Sequence, residues 1–218
     1  MHKEWLVFPP GFLFGTATSA PQIEGAAYED GRGASIWDTF AAKPGRIKDG
    51  TTPSVTCDFY HRYKEDIRLA AELGMKSFRF SFSWSRILPE GTGQVNQKGI
   101  DFYHRVLDEL EKYGMVPNAT VYHWDLPQAL EERGGWLNRD IVKWYGEYAS
   151  LLFREYGKRI PLWATVNEPI ATYVGYAQGI FAPGHRSEAM GRQANHHVLM
   201  AHGEGVRRFR EENIRDSR

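Results

Sequence analysis

Between Ser77 and Ser83 the chain alternates strictly: Phe78, Phe80 and Phe82 share one face, and Ser77, Arg79, Ser81 and Ser83 share the other. A period of two predicts a strand with unlike faces. On either side of it the period changes. From Asp58 to Leu73, apolar residues recur at Phe59, Tyr63, Ile67 and Ala70, and Gly74 follows as a stop. That spacing predicts a helix. Gln97 to Tyr113 predicts a second helix, with Asn96 as cap and Gly114 as stop. Met115 to His123 predicts a strand. Arg139 to Tyr156 predicts a helix capped by Asn138 and closed by Gly157, with Ile141, Tyr145, Tyr148 and Leu152 on one stripe. The apolar run Leu162 to Val166 predicts another strand, and Ser187 to Asn213 a last helix. Ahead of these, Phe12 to Thr18 reads as a short strand containing Gly15. Ala34 to Thr52, rich in Gly, Lys, Asp and Pro, reads as a long loop.

Strand and helix therefore alternate in four consecutive units. Such a series implies parallel strands joined by right-handed crossovers. Parallel strands covered on both faces should be almost continuously apolar. The polar face of Ser77, Arg79, Ser81 and Ser83 departs from that rule. In a closed barrel it would point inward while the three phenylalanines pack on the helices. The predicted fold is α/β, of the TIM (β/α)8-barrel type with only the first four units present: one domain over residues 1–218, a half-barrel. A buried arginine needs a partner, so Arg79 predicts an acidic group inside the barrel.

Composition narrows the partners. The 218 residues carry 27 basic and 27 acidic side chains, so the formal net charge is zero. Neither a nucleic acid nor a membrane is predicted as partner. The charges of Arg207 to Arg218 are mixed in sign and read as a solvated helix end. The single cysteine, Cys57, reads as a small packed residue. Met1 to Pro10 lacks the apolar core of a signal peptide, and no stretch approaches a membrane span. A cytoplasmic location is the expectation.

Candidate chemistry gathers where strands are predicted to end. Asn167-Glu168-Pro169 closes the run Leu162 to Val166, and strand C-terminal ends carry the chemistry of such barrels. A well-placed Glu can act as a general acid. Three further segments stand at comparable places. They are Phe14-Gly15-Thr16-Ala17-Thr18-Ser19-Ala20-Pro21-Gln22-Ile23-Glu24-Gly25, preceded by Phe8-Pro9; Arg79-Phe80-Ser81-Phe82-Ser83-Trp84-Ser85-Arg86; and Tyr122-His123-Trp124-Asp125-Leu126-Pro127. With Thr165-Val166-Asn167-Glu168-Pro169 they resemble, in order and from about Phe8 to His202, the N-terminal half of glycoside hydrolase family 1, the β-glucosidase family.

The resemblance implies hydrolysis of a terminal β-linked, glucoside-like sugar with retention, and no cofactor. It implies that Glu168 is the acid/base and that Asn167 bonds the sugar 2-hydroxyl. Gln22, His123 and Trp124 would hold the non-reducing sugar, and Arg79 would support the catalytic carboxylates. These residue types suit the task. Amide, imidazole and indole N–H groups match a hydroxylated rim, and an aromatic face matches the C–H surface of a sugar ring. A general acid also needs a pKa near working pH, so burial or a second carboxylate should raise that of Glu168.

Other conspicuous residues have plainer readings. Trp84, Trp136, Trp144 and Trp163 read as packing residues. His196, His197 and His202 lack the i,i+4 spacing of a helical metal pair, so no metal is predicted. Gly91-Thr92-Gly93 lacks the spacing of a phosphate-binding loop.

Three features depart from the family pattern or from simple geometry. Pro21 stands where an aromatic residue is usual, which puts the loop around Gln22 in question. Asn167 and Glu168 are adjacent, so a regular strand would aim them to opposite sides. The family's nucleophile, a Glu in a Thr-Glu-Asn-Gly-like motif on the seventh strand, has no counterpart here. Its absence leaves two open edge strands and several outcomes: completion by a C-terminal half-barrel, pairing with a second copy of the chain, or a non-catalytic sugar-binding or assembly module. Glu24 and Asp125 are the nearest candidates for a replacement carboxylate.

Overall fold

The computed structural model describes residues 7–212. The first residues of the Met1 to Pro10 segment, Asn213 of the last helix, and Asn213 to Arg218 of the mixed-charge run lie outside them. The elements follow the predicted alternation. Strand β1 (Gly15–Ala17) leads into α1 (Ala20–Ile23), α2 (Ile36–Ala41) and α3 (Phe59–Glu72). Strand β2 (Ser77–Ser81) is followed by α4 (Trp84–Ile87) and α5 (Gln97–Lys112). Strand β3 (Val116–Tyr122) is followed by α6 (Gln128–Glu131), a 3-10 turn (Gly135–Leu137) and α7 (Ile141–Tyr156). Strand β4 (Leu162–Val166) precedes α8 (Ile170–Ala177) and α9 (Glu188–Glu211).

The strands form one parallel sheet in the order β1-β2-β3-β4. In the register, Ala17 lies beside Arg79, Arg79 beside Asn118, and Tyr122 beside Val166. The period-two pattern of β2 explains its two faces. Phe78 stacks on Phe59 of α3, Phe80 on Tyr103 of α5, and Phe82 on Tyr156 of α7. All three rings are buried. Burying one such ring contributes about 1.5–3 kcal/mol. On the opposite face, Ser81 Oγ accepts from the Ala20 amide at 2.7 Å and fastens α1 to β2.

The tryptophans largely serve packing. Trp84 stacks on Tyr148 with ring centroids 4.6 Å apart. Trp136 donates to Tyr122 Oη at 3.0 Å. Trp163 packs on Phe82 and Phe153, and Trp144 lies under the Arg133 guanidinium at 3.9 Å.

Several local expectations need correction. The Ala34 to Thr52 loop contains α2, whose start is a capping box: Ser35 Oγ accepts from the Asp38 amide, and Asp38 accepts from the Ser35 amide. Asn138 does not cap α7; Asp140 holds the N-cap position, and Asn138 Oδ1 accepts from the Asp140 amide at 2.9 Å. Asn96 holds the N-cap position of α5 as expected, but its side-chain amide donates to the carbonyls of Asp30 and Arg86 and makes no capping bond. Cys57 is exposed rather than packed.

Both outer strands lack a neighbour on one side among the described residues. Along β4 the residues are half-buried or exposed. Beyond β1, Phe8, Phe12 and Phe14 form a partly exposed aromatic cluster with centroids 4.7–4.8 Å apart. No helix among the described residues is long and apolar enough to cross a membrane.

Candidate active site at the strand ends

Parallel strands aim their C-terminal ends to one side, so the residues just past β1, β3 and β4 share one rim. Arg79 in β2 reaches along it. Its Nη2 donates to Asn167 Oδ1 at 2.8 Å, and its Nε donates to Thr120 Oγ1 at 3.0 Å. The acidic partner expected for Arg79 is not what it meets here; an amide and a hydroxyl oxygen take its hydrogen bonds. Neutral acceptors suffice because Arg79 is only half-buried.

Asn167 is held at both ends of its backbone. Its amide donates to Tyr122 O at 3.0 Å, extending the β3–β4 ladder by one step. Its carbonyl accepts from the Trp124 indole at 2.9 Å. The next residue leaves the ladder: Glu168 has φ +40, in the left-handed region. This turn removes the difficulty posed by adjacency, because strand alternation ends at Asn167. Glu168 is exposed. Trp124 also takes left-handed backbone, with φ +75. Such conformations in residues other than glycine cost on the order of 1–3 kcal/mol each and cluster at functional sites.

His123 precedes that turn and is only 7% exposed. Its ring lies 4.8 Å from the Trp124 ring, and its Nδ1 has no hydrogen-bond partner. Burial, with a contribution from the Arg79 charge, pushes its pKa down to about 4. The imidazole is therefore neutral near pH 7, with one nitrogen able to accept and the other to donate.

Gln22 stands apart from this cluster. It lies in α1, is exposed, and accepts from Ser19 Oγ at 2.7 Å. Pro21 does not disrupt the loop: it occupies the first turn of α1, where a backbone donor is dispensable. The structure thus links Arg79, Asn167, Trp124 and His123, and places Gln22 at the end of the neighbouring strand.

A scan against family models matches residues 4–218 to "Glycosyl hydrolase family 1". The chain belongs to that family. It is 50% identical to Beta-glucosidase A of Acetivibrio thermocellus over 210 residues, which is 96% of this chain and 47% of that protein. It is 52% identical to Beta-glucosidase A of Thermotoga maritima over 205 residues, covering 94% of this chain and 46% of that one. The solved structure of the Thermotoga maritima beta-glucosidase in complex with glucoimidazole superposes with a TM-score of 0.92 at 51% identity, covering 94% of this chain and 47% of that chain. The family 1 chain therefore spans about half the length of the curated relatives it matches. Its parallel sheet corresponds to the N-terminal part of their TIM barrel.

Two acids of the family 1 chain, Glu24 and Asp125, are buried. Glu24 accepts from Arg86 Nε at 2.9 Å and from Tyr103 Oη at 2.6 Å. Arg86 also lies 4.3 Å from the Tyr60 ring centroid. This buried network anchors the segment after α1, and Glu24 is enclosed by it. Asp125 is 1% exposed, with neither oxygen hydrogen-bonded. Sequence patterning missed the Glu24–Arg86 pair because the two are 62 residues apart; one buried-type Arg and one Glu in flanking motifs were the available signal.

Two of the three histidines singled out in α9 have hydrogen-bond partners within the protein. His197 Nδ1 meets Trp136 O at 2.8 Å, and His202 Nδ1 meets Thr165 Oγ1 at 2.6 Å. Among the described residues, no three His, Cys, Asp or Glu side chains gather as a metal site.

Proposed function

We propose that this chain carries the acid/base half of a retaining β-glycosidase site acting on terminal β-linked, glucose-like sugars. The observation that carries the proposal is the β4 terminus. Glu168 turns out of the ladder into an exposed left-handed position, next to an Asn167 whose side chain and backbone are both held. An exposed carboxyl on a braced turn suits proton delivery to a glycosidic oxygen. Asn167 is suited to bond a 2-hydroxyl, a contact that strengthens in the transition state. Neutral His123, the Trp124 ring and the exposed amide of Gln22 match a sugar rim and face. The relatives' printed names, beta-glucosidases, point to the same substrate class.

Retention requires a second carboxylate roughly 5–5.5 Å from the first. We assign it to a complementary C-terminal half-barrel, which would also cover the open edges of β1 and β4. A second reading, a non-catalytic sugar-binding module, draws support from the enclosure of both Glu24 and Asp125. The experiment compares hydrolysis of an aryl β-glucoside by the pure chain alone and with an added C-terminal half. Turnover only in the mixture supports the proposal. Turnover by the chain alone defeats the need for a second half, and sugar binding without turnover in either sample favours the module.

A further inference from the structure

Helices α2 and α6 and the segment after α8 enclose a cavity that the proposed chemistry does not use. Its volume is about 230 Å³. The cavities beside Trp124 and beside Glu24 are each about 10 Å³, close to the space of a single water. This one admits a molecule the size of a sugar ring. None of Gln22, Arg79, His123, Trp124, Asn167 and Glu168 lines it.

Helical spacing builds two of its walls. Thr39 and Phe40 of α2 lie four and three residues before Lys43, so the three share one side. Gln128 and Glu131 of α6, with Glu132 just after, repeat that spacing. Pro183 and His185 form the third wall. The walls are already braced. The Ser35–Asp38 capping box and the bond from Ile36 to Leu126 O fix α2 against the turn after β3. His185 Nε2 meets Glu131 Oε1 at 2.8 Å, and Glu131 Oε2 accepts from Tyr176 Oη. Arg46 lies 5.2 Å from the Phe40 ring centroid and donates to Gly179 O at 3.1 Å, which ties the first wall to the third.

Both oxygens of Glu131 are thus occupied, and other groups are free to meet a ligand. The Lys43 ammonium and the Thr39 hydroxyl make no hydrogen bond among the described residues. Glu132 receives only a long bond, 3.4 Å, from Gln128 Nε2. Its second oxygen and the Gln128 side-chain carbonyl remain as acceptors. The charges favour a neutral guest. A phosphate-like anion would meet two carboxylates against one lysine, and no metal-holding cluster occurs among the described residues. A ring carrying several hydroxyls satisfies both kinds of group. Its hydroxyls donate to Glu132 and Gln128 and accept from Lys43, while its C–H face lies on Pro183.

We propose that this cavity binds a neutral monosaccharide at a second site, separate from the strand ends. The assignment is independent of the role of Glu168.

The test titrates the whole chain with D-glucose near neutral pH and follows backbone and side-chain amides by NMR. Saturable shifts are expected at Thr39, Lys43, Gln128 and Glu132, with a Kd of millimolar order. Lys43 and Glu132 are exposed, so Lys43→Met and Glu132→Gln should keep the rest of the spectrum. Each should weaken binding at these positions about tenfold, because a hydrogen bond to a charged group is lost. Responses at His123 and Asn167 should stay as they are in the unaltered chain. Shifts that fail to saturate by about 100 mM overturn the proposal. So do shifts that persist undiminished in both variants, or tighter binding of inorganic phosphate than of glucose at the same residues. A response at the cavity with none at the strand ends would count against the proposed function and not against this site.

Discussion

Arg79 Nη2 donates to Asn167 Oδ1 across 2.8 Å, so the middle of β2 braces the residue beside Glu168. The side-chain carbonyl of Asn167 is thereby turned toward Arg79, which leaves its amide nitrogen free to donate elsewhere. A 2-hydroxyl oxygen is an acceptor of the right kind.

Asn167→Ala and Arg79→Met should each destabilise the chain by about 1–3 kcal/mol, because each leaves a polar partner unsatisfied. The double variant should lose less than the sum, with a coupling of about 0.5–3 kcal/mol. Urea unfolding of the four proteins measures this. Strict additivity would mean that the contact does not bind β2 to the end of β4.

Glu24 and Arg86 form a buried ion pair, with side chains 5% and 1% exposed. Removing one partner strands the other charge. Glu24→Gln or Arg86→Met should therefore cost about 3–5 kcal/mol, read from denaturant midpoints. An effect within experimental scatter of wild type would show that the pair does not hold the segment after α1.

His123 should titrate near pH 4, well below an exposed histidine. Between about 6.5 and about 4 the unfolded chain takes up a proton that native His123 refuses, so stability falls as pH drops through this window. His123→Gln should flatten that part of the profile. Imidazole NMR resonances give the midpoint directly, and a value near 6.5 would mean that the ring is solvated.

Much of this architecture is legible in residue patterns. The alternation of Phe78, Phe80 and Phe82 with serines specified β2 and its faces, and Leu162 to Val166 matches β4 residue for residue. Gly74 and Gly114 do follow α3 and α5 with positive φ. The short helices α1, α4, α6 and α8 escaped notice because 4–8 residues are too few for a helical period to show. In α2 the Ser35–Asp38 capping box was a usable signal that the loop-like composition around it obscured. At the site, residue identities were legible through family resemblance, whereas their linkage was not. Nothing local in the sequence says that Arg79 meets Asn167 instead of an acid, or that Glu168 turns left-handed; both depend on strand register.

The most direct test of the central claim is leaving-group dependence in a reconstituted sample of this chain and its complementary half. If Glu168 is the general acid, Glu168→Gln should slow cleavage of an alkyl β-glucoside by about 10²–10⁴-fold, because a poor leaving group needs the proton. The same variant should cleave a dinitrophenyl β-glucoside with a far smaller loss in its first, glycosylation step, since that leaving group departs unprotonated. Equal losses on both substrates in that step, or no loss on the alkyl glucoside, would contradict the assignment of Glu168.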